Sequence, residues 1–231
     1  MDDKKTVLIT GSTRGIGLAF ADHYVKAGWN VIGGARNLGK ADKLRAVDPY
    51  RIVQLDANDE ESILRAAQDL AGESIDLLIN NAGYGEFDNA KTATKAAMMR
   101  QFEVNAVGPL LITRAFLPHL RAAVALHGSA AVGQISSLMG SISENKSAHF
   151  CGFRASKAAL NMINASLAVD LRQDQITALT LDPGYVATDG TGHAGPVRPP
   201  EAVAGLASVL ANATLDDTGK FIDYKGKELP W

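Results

Sequence analysis

The stretch TGSTRGIG, residues 10–17, decides the fold of this 231-residue chain. An apolar run over 7–10 leads into it and predicts a β-strand, and a helical period over 16–27 follows it. Its three glycines let the backbone turn sharply and approach a pyrophosphate, which binds to the free N–H groups and positive dipole end of the helix. Ordinary strand-to-helix turns also use glycine, so the two flanking elements are what make this a predicted dinucleotide-binding turn.

The rest of the chain repeats this alternation of strand and helix. Short continuous apolar strands between amphipathic helices indicate a parallel sheet covered on both faces. We therefore expect an α/β fold, a doubly wound parallel sheet of Rossmann type with about seven strands, in a single domain over residues 1–231. The predicted strands span residues 7–10, 31–33, 52–55, 75–79, 132–135, 176–181 and 221–223, and the predicted helices span 16–27, 60–70, 96–120, 153–171 and 200–210.

The composition narrows the class of protein. With 46% hydrophobic and 21% charged residues and a net charge of -2, the chain has no broad basic field, so we do not expect nucleic-acid binding. Residues 1–5 show no basic region of a leader, and no apolar stretch approaches the roughly 20 residues that cross a bilayer. We expect a cytoplasmic protein without membrane association. Cys151 is the only cysteine, so no intrachain disulfide can form, and no cluster of ligands predicts a metal site.

Several motifs follow one another in the order of a known family. The spacing G-x-x-x-G-x-G, together with NNAG at residues 80–83, resembles the short-chain dehydrogenase/reductase family. The resemblance continues to the end of the chain through Asn105, the pair Ser136 and Ser137, Lys157, and PGYVAT at residues 183–188. Within that family, residues 140–145, 154–161 and 228–231 are most similar to the C-factor and sniffer-type carbonyl reductases.

The end of the second predicted strand indicates which dinucleotide binds. NAD enzymes usually place an acidic side chain there for the ribose hydroxyls, whereas this chain has Arg36. An arginine pairs with a 2′-phosphate, and Arg14 can do so from the glycine turn, so we expect NADP(H) rather than solvated surface charges. Asp56 resembles the residue that accepts from the adenine amino group, although it equally suits an acid at a helix N-terminus. The cofactor-binding residues implied by the resemblance are Gly11, Arg14, Gly15, Ile16, Gly17, Arg36, Asp56, Asn81, Ala82, Gly83, Lys157, Pro183, Val186 and Thr188.

The catalytic positions contain one departure from the family. The resemblance implies that Ser137 holds the substrate oxygen, Lys157 lowers the pKa of a tyrosine, and Asn105 anchors a water chain. The tyrosine position is Phe153, one helical turn before Lys157, and phenylalanine has no proton to give. A shorter spacing from Ser137 leads to Phe150, which also lacks a hydroxyl. We therefore expect a nicotinamide enzyme whose usual acid is replaced.

Four other side chains could supply the proton. His149 and Cys151 lie just before the predicted helix, and Tyr84 and Tyr185 follow glycines of the two motifs. Histidine titrates near neutrality and is the most capable donor. Each of the four also has an ordinary structural explanation.

These observations leave two main hypotheses open. The first is an NADPH-dependent reductase of a small or medium carbonyl compound, with an impaired or altered proton donor and a small-molecule carbonyl or alcohol substrate. The second is an NADP(H)-binding pseudoenzyme with a regulatory role, and a Tyr→Phe change introduced by design ranks last. We expect the glycine-rich residues 188–198 to be mobile and to form a substrate lid, and helices 96–120 and 153–171 to suit a homodimer or homotetramer.

Overall fold

A computed structural model describes residues 4–231, and its strands form one seven-stranded sheet. Residues 1–3, which belong to the expectation about the amino terminus, lie outside the described residues. The strands are β1 (Thr6–Ile9), β2 (Asn30–Ala35), β3 (Arg51–Gln54), β4 (Leu77–Asn80), β5 (Ala130–Ile135), β6 (Ile176–Asp182) and β7 (Phe221–Asp223). The helices are α1 (Gly15–Lys26), α2 (Asp42–Arg45), α3 (Glu60–Asp69), α4 (Lys95–Phe102), α5 (Gly108–His127), α6 (Cys151–Leu171) and α7 (Pro199–Asn212).

The strand order is β3-β2-β1-β4-β5-β6-β7, and all neighbouring strands are parallel. The order reverses at β1, where Val7 pairs with Val31 on one side and Leu77 on the other. β4 begins two residues later than expected, because Ile75 gives its N–H to the carbonyl of His119 on α5. In such sheets ligands bind beyond the carboxyl ends of the strands at the reversal. The predicted doubly wound fold is confirmed, and the turns after β1 and β4 lie side by side.

Alternate residues of β1 belong to two different cores. Val7 and Ile9 pack in the core that includes α1 and α7, and Leu8 packs in the core that includes α3 and α5. All three side chains are fully buried, and burying each stabilises the fold by roughly 1.5–3 kcal/mol. Because helices cover both faces, the strand is apolar throughout, as the sequence indicated.

The helix expected over 96–120 is divided in two. α4 and α5 are joined by a π-helical turn, Glu103–Val107. Pro109 has no N–H to donate to the carbonyl of Asn105, so the ordinary hydrogen-bond ladder cannot pass this point. The apolar period of the sequence continues through the turn and therefore did not reveal it.

α5 is bent near Pro118. Within residues 4–231 no single helix has the length and apolar character to cross a bilayer. The segments Lys95–Ala115 and Leu117–His127, which meet at 54°, satisfy that test only when taken together.

Candidate active site

The glycine turn after β1 is tightly packed. Gly11 and Gly15 have φ of +64° and +56°, the left-handed region that favours glycine. A Cβ at Gly11 would lie 3.0 Å from the Cα of Ala82. A Cβ at Gly17 would collide with the carbonyl oxygen of Gly11 and lie 2.5 Å from Nδ2 of Asn81. The geometry of the turn therefore requires glycine even before a ligand approaches.

Asn81 and Ala82 hold this turn against the end of β4. Asn81 Nδ2 donates to the carbonyls of Thr10 and Gly11 at 3.0 and 3.2 Å. Thr10 Oγ1 accepts the backbone N–H groups of Asn81 and Ala82, each at 3.0 Å. Our sequence analysis missed the role of Thr10, although a hydroxyl residue at the last position before a glycine turn is a usable signal.

The start of α1 is open. Arg14 occupies its N-cap position without a side-chain hydrogen bond, whereas Asp59 caps α3 and Thr94 caps α4. Ile16 packs against the core. The N–H groups of the first helical turn thus retain their capacity to bind an anion, and the glycines leave room beside them. This cradle fits the pyrophosphate of a dinucleotide.

Two basic side chains, Arg14 and Lys43, line a cavity of about 200 Å³ beside the turn. One carboxylate lies among them, because Asp189 is 3.5 Å from Arg14 Nη1 and 3.0 Å from His193 Nε2. Arg36 is exposed directly after β2. The donor set suits a phosphate group.

Asp56 lies in the turn after β3. Its Oδ1 accepts the N–H of Asn58 at 3.0 Å, and the N-cap of α3 is Asp59. Asp59 therefore caps α3, and the contact of Asp56 with the adenine amino group stays a prediction.

The segment after β6 returns to the glycine turn. Pro183 is buried at the strand end, and Val186 forms a β-bridge with Val197. The methyl group of Thr188 lies 3.4 Å from the position that a Cβ of Gly15 would take. These residues form a wall beside the phosphate cradle.

Lys157 is buried on α6, with 4% of its surface exposed. Its Nζ donates to the carbonyl of Ile135 at 2.7 Å and lies 5.7 Å from the ring centroid of Phe153. Burial lowers the pKa of the ammonium to about 8, because desolvation disfavours the charged form. Within the described part of the chain no carboxylate pairs with this ammonium.

Asn105 is fully buried in the π-helical turn and joins three segments. Its Nδ2 donates to the carbonyl of Tyr84 at 2.7 Å and to Ser156 Oγ at 2.9 Å, and its Oδ1 accepts the N–H of Tyr84 at 2.8 Å. A Cβ at Gly83 would lie 3.5 Å from that Oδ1 and 3.8 Å from Lys157 Nζ. No local pattern pointed to Ser156, because its contact with Asn105 depends on the π-helical turn.

Ser137 lies two residues after Ile135, which ends β5 and whose carbonyl accepts from the lysine. Its Oγ accepts the N–H of Met139 at 3.1 Å. The adjacent Leu138 donates its N–H to Asp182 at 2.8 Å, and burial raises the pKa of the Asp182 carboxyl. Asp182 thus fixes the chain on the far side of the serine, a role that its sequence position did not reveal.

The half-buried Phe153 completes the group. A Cβ at Gly85 would lie 3.0 Å from its ring, so the ring packs on the backbone of the segment after β4. The structure brings Asn105, Lys157 and Phe153 together and places Ser137 at the neighbouring strand end.

The phenol of Tyr84 is engaged elsewhere. Its hydroxyl donates to Glu86, and this hydrogen bond raises the pKa of the phenol. Arg100 lies 3.4 Å from Glu86 and faces the tyrosine ring. A raised pKa makes Tyr84 a weaker acid.

The other three proposed donors also have their own surroundings. His149 stacks on Phe87, and Cys151 is exposed at the start of α6. The exposed Tyr185 accepts the N–H of Val197 at its carbonyl. In the described residues none of them forms a hydrogen bond with Lys157.

Asp88 is a buried acid that sequence reasoning missed. Its two carboxylate oxygens accept the N–H of Gly152 at 3.3 and 3.1 Å, and its carbonyl accepts the N–H of Phe150 at 2.8 Å. It therefore closes the start of α6, which begins at Cys151 instead of residue 153 as expected. No local pattern identifies a cap that is 64 residues away along the chain.

Comparison with known proteins gives a consistent result. A family model described as short chain dehydrogenase matches residues 5–197. C-signal of Myxococcus xanthus is 38% identical over 158 residues, which cover 68% of this chain and 93% of that protein.

Two solved structures share the whole fold. The NADPH-bound carbonyl reductase from chicken fatty liver is 33% identical, with a TM-score of 0.91 over 99% of both chains. The carbonyl reductase Sniffer of D. melanogaster is 26% identical, with a TM-score of 0.93 over 99% of this chain and 100% of that one. The resemblance to C-factor and sniffer-type reductases is confirmed.

Proposed function

Because this chain belongs to the short-chain dehydrogenase family of oxidoreductases, we propose that it binds NADP(H) and reduces a small or medium carbonyl compound, with Phe153 replacing the usual acid. The observation that carries the proposal is the buried Lys157 ammonium. It has no carboxylate partner in the described residues, and it lies beside a ring without a hydroxyl. Burying a lone ammonium is unfavourable, so this placement is typical of a functional group.

The open start of α1 and its basic surroundings support NADP(H) as the cofactor. Gly11, Gly15 and Gly17 would hold the pyrophosphate, and Arg14 and Arg36 would pair with the 2′-phosphate. The carbonyl reductase from chicken fatty liver, with the same fold, binds NADPH. When bound, NADPH supplies the hydride.

The hydrogen-bond capacity of the site suits a carbonyl oxygen. Ser137 Oγ accepts from Met139, so its own proton remains available to a substrate oxygen. Lys157 uses one of its three donors on Ile135 and keeps two for the nucleotide ribose. Orientation of the reactants supplies part of the rate enhancement without an acid. The proton then comes from water or from a substitute acid such as His149, and losing a positioned general acid lowers the rate by roughly 10²–10⁴.

A second candidate is an NADP(H)-binding pseudoenzyme. It is favoured by the packing of Phe153 on Gly85 and by the engagement of Tyr84 with Glu86, which leave no phenol at Lys157 among the described residues. Such a protein keeps the nucleotide site and transmits its occupancy to a partner.

Steady-state assays of the parent beside Phe153→Tyr, with NADPH and a panel of aldehydes and ketones, test the proposal. We expect slow turnover by the parent and a gain of roughly 10²–10⁴ in the variant. His149→Ala tests a substitute acid, and with aliphatic substrates it should leave the parent rate unchanged. If the parent turned over rapidly and His149→Ala abolished that turnover, His149 would be the acid. If neither protein turned over although both bound NADPH, the reductase hypothesis would be refuted and the pseudoenzyme hypothesis favoured.

We further propose that copies of the chain associate through α5 and α6. Met162 and Val169 on α6 are 68% and 80% exposed, and Leu126 on α5 is 60% exposed. Contact between copies would remove this apolar surface from water. Light scattering of the parent and Val169→Glu tests the association, because a monomeric parent would refute it.

A further inference from the structure

Three aromatic side chains meet beside the start of α6. Phe87 stacks on His149 with ring centroids 5.0 Å apart and planes at 25°. Phe150 meets Phe87 edge-on, at 5.1 Å and 86°. We name Phe87, His149 and Phe150 the aromatic corner. Phe87 is 66% exposed, so most of its ring remains accessible although two rings already contact it.

The aromatic corner is continuous with the reacting centre. Phe87 lies two residues after Gly85, the residue on which the Phe153 ring packs. Phe150 lies three residues before Phe153, at the start of α6. Asp88 fastens the two segments together through its hydrogen bonds to Phe150 and Gly152. The same pair of segments thus carries the corner and the position of the missing acid.

The backbone at Phe150 is strained. Its φ of +60° lies in the left-handed region, which costs a bulky residue free energy and which glycine or asparagine adopts more easily. Core packing does not explain the choice, because Phe150 is only half-buried and its aromatic partner Phe87 is largely exposed. Strain of this kind is concentrated at functional sites, where the surrounding structure holds it.

We infer that the aromatic corner binds the aryl group of an aromatic ketone or aldehyde whose carbonyl lies at Ser137 and Lys157. The inference rests on the proposed function and adds the substrate class. Aromatic rings pair edge-to-face or offset, and this interaction adds to the burial of apolar area. A saturated ring of the same size gains the burial alone. The site therefore prefers an aryl over a cyclohexyl group.

Acetophenone and cyclohexyl methyl ketone form the matched pair of probes, because they share the methyl ketone and differ in ring aromaticity. Binding is followed by saturation-transfer NMR in the presence of NADP⁺, and kcat/KM is measured in the Phe153→Tyr background. We expect a preference of roughly 3- to 10-fold for acetophenone in both readouts.

Substitutions in the aromatic corner test whether it causes the preference for acetophenone. Phe87→Leu keeps an apolar side chain and should reduce the preference below about 2-fold, whereas Phe87→Tyr keeps the ring and should retain it. Phe150→Asn suits the left-handed backbone, so it should fold as well as the parent and still weaken the preference. Leu64→Ala removes an exposed apolar side chain on α3 and should change nothing.

The outcomes separate the inference from the proposed function. Turnover of both ketones without discrimination, or a preference that survives Phe87→Leu, overturns the aryl site and leaves the reductase. Saturation transfer to acetophenone that Phe87→Leu abolishes, without turnover in any variant, supports the aryl site and overturns the reductase.

Discussion

Two helices begin at the carboxyl edge of the sheet, and their starts are built in opposite ways. α1 starts at a glycine turn, and Arg14 at its N-cap makes no capping bond. α6 starts under the carboxylate of Asp88, which accepts the N–H of Gly152. The backbone N–H groups at the start of α1 therefore remain available to a ligand. At the start of α6 the protein itself supplies a hydrogen-bond acceptor, and this helix contributes side chains such as Lys157 and Phe153 to the site.

This difference explains how one half of the site can change while the other stays. A site made of backbone N–H groups depends on glycines whose replacement causes collisions, as at Gly17. A site made of side chains can lack one hydroxyl, as we propose for Phe153, without any change in the backbone. Nucleotide binding and turnover should therefore respond to different substitutions.

The largest effect is expected from Gly17→Val, which changes the part of the site that is built from backbone N–H groups. Its side chain would collide with the carbonyl of Gly11 and with Asn81, so NADPH affinity should fall by roughly 100-fold, since overpacking costs on the order of 3 kcal/mol. Fluorescence titration with NADPH measures this. Gly190→Ala is the control, because its Cβ would make an ordinary 3.7 Å contact with Thr188. Unchanged affinity in Gly17→Val would show that the glycine turn is not the nucleotide site.

Lys157→Met should have the next largest effect, on stability as well as function. The pKa of about 8 in the folded state lies below the ordinary value, so the unfolded chain binds more protons between pH 8 and about 10. The free energy of unfolding of the parent should therefore rise with pH across that window. Below it the buried ammonium costs on the order of 3 kcal/mol, which methionine relieves at the expense of one hydrogen bond.

Urea unfolding at pH 7 and pH 9.5 measures the effect. Lys157→Met should be more stable than the parent at pH 7, by roughly 1–3 kcal/mol, and the gap should narrow at pH 9.5. The exposed Lys95→Met is the control. A gap that widens with pH would mean that the folded protein stabilises the ammonium, contrary to its burial.

Arg36→Ala tests one of the two arginine contacts that we assign to the 2′-phosphate. Losing a charge-assisted pair with the 2′-phosphate should weaken NADPH binding by roughly 10- to 100-fold and leave NADH within about 3-fold. Calorimetric titrations of both nucleotides, with Arg65→Ala on α3 as the control, distinguish a selective loss from a general one. Equal losses for NADPH and NADH would place the 2′-phosphate elsewhere.

The two helix starts also differ in how far the sequence could predict them. The strand TVLI and the glycine spacing are local patterns, and they were sufficient for the sheet and for the turn after β1. The apolar period could not show the π-helical turn, because Asn105 sits in it without breaking the repeat. Asp88 escaped notice because its partner Gly152 is distant in sequence.

Predicting which residues form the site differs from predicting which of them donates the proton. The sequence predicted that Asn105, Ser137, Phe153 and Lys157 belong to one site, and the structure gathers Asn105, Lys157 and Phe153. The missing hydroxyl at Phe153 was visible in the sequence. Whether another group donates the proton depends on contacts such as that of Tyr84 with Glu86, which only a folded chain shows.

The smallest effect is expected at the closed helix start. Asp88→Ala removes the two contacts to the N–H of Gly152, and losing a cap costs about 1–2 kcal/mol of unfolding free energy. Asp59→Ala, which removes the cap of α3, is the matched control for stability.

The two variants should differ in function, because only Asp88 fastens the segments that carry Phe87 and Phe153. Asp88→Ala should weaken ketone binding and leave the affinity for NADPH within about 2-fold, since α1 keeps its own donors. Thermal unfolding and titrations with acetophenone and NADPH measure the three quantities. If Asp88→Ala lowered NADPH affinity as strongly as Gly17→Val, the two helix starts would act as one unit and their separate construction would have no functional meaning.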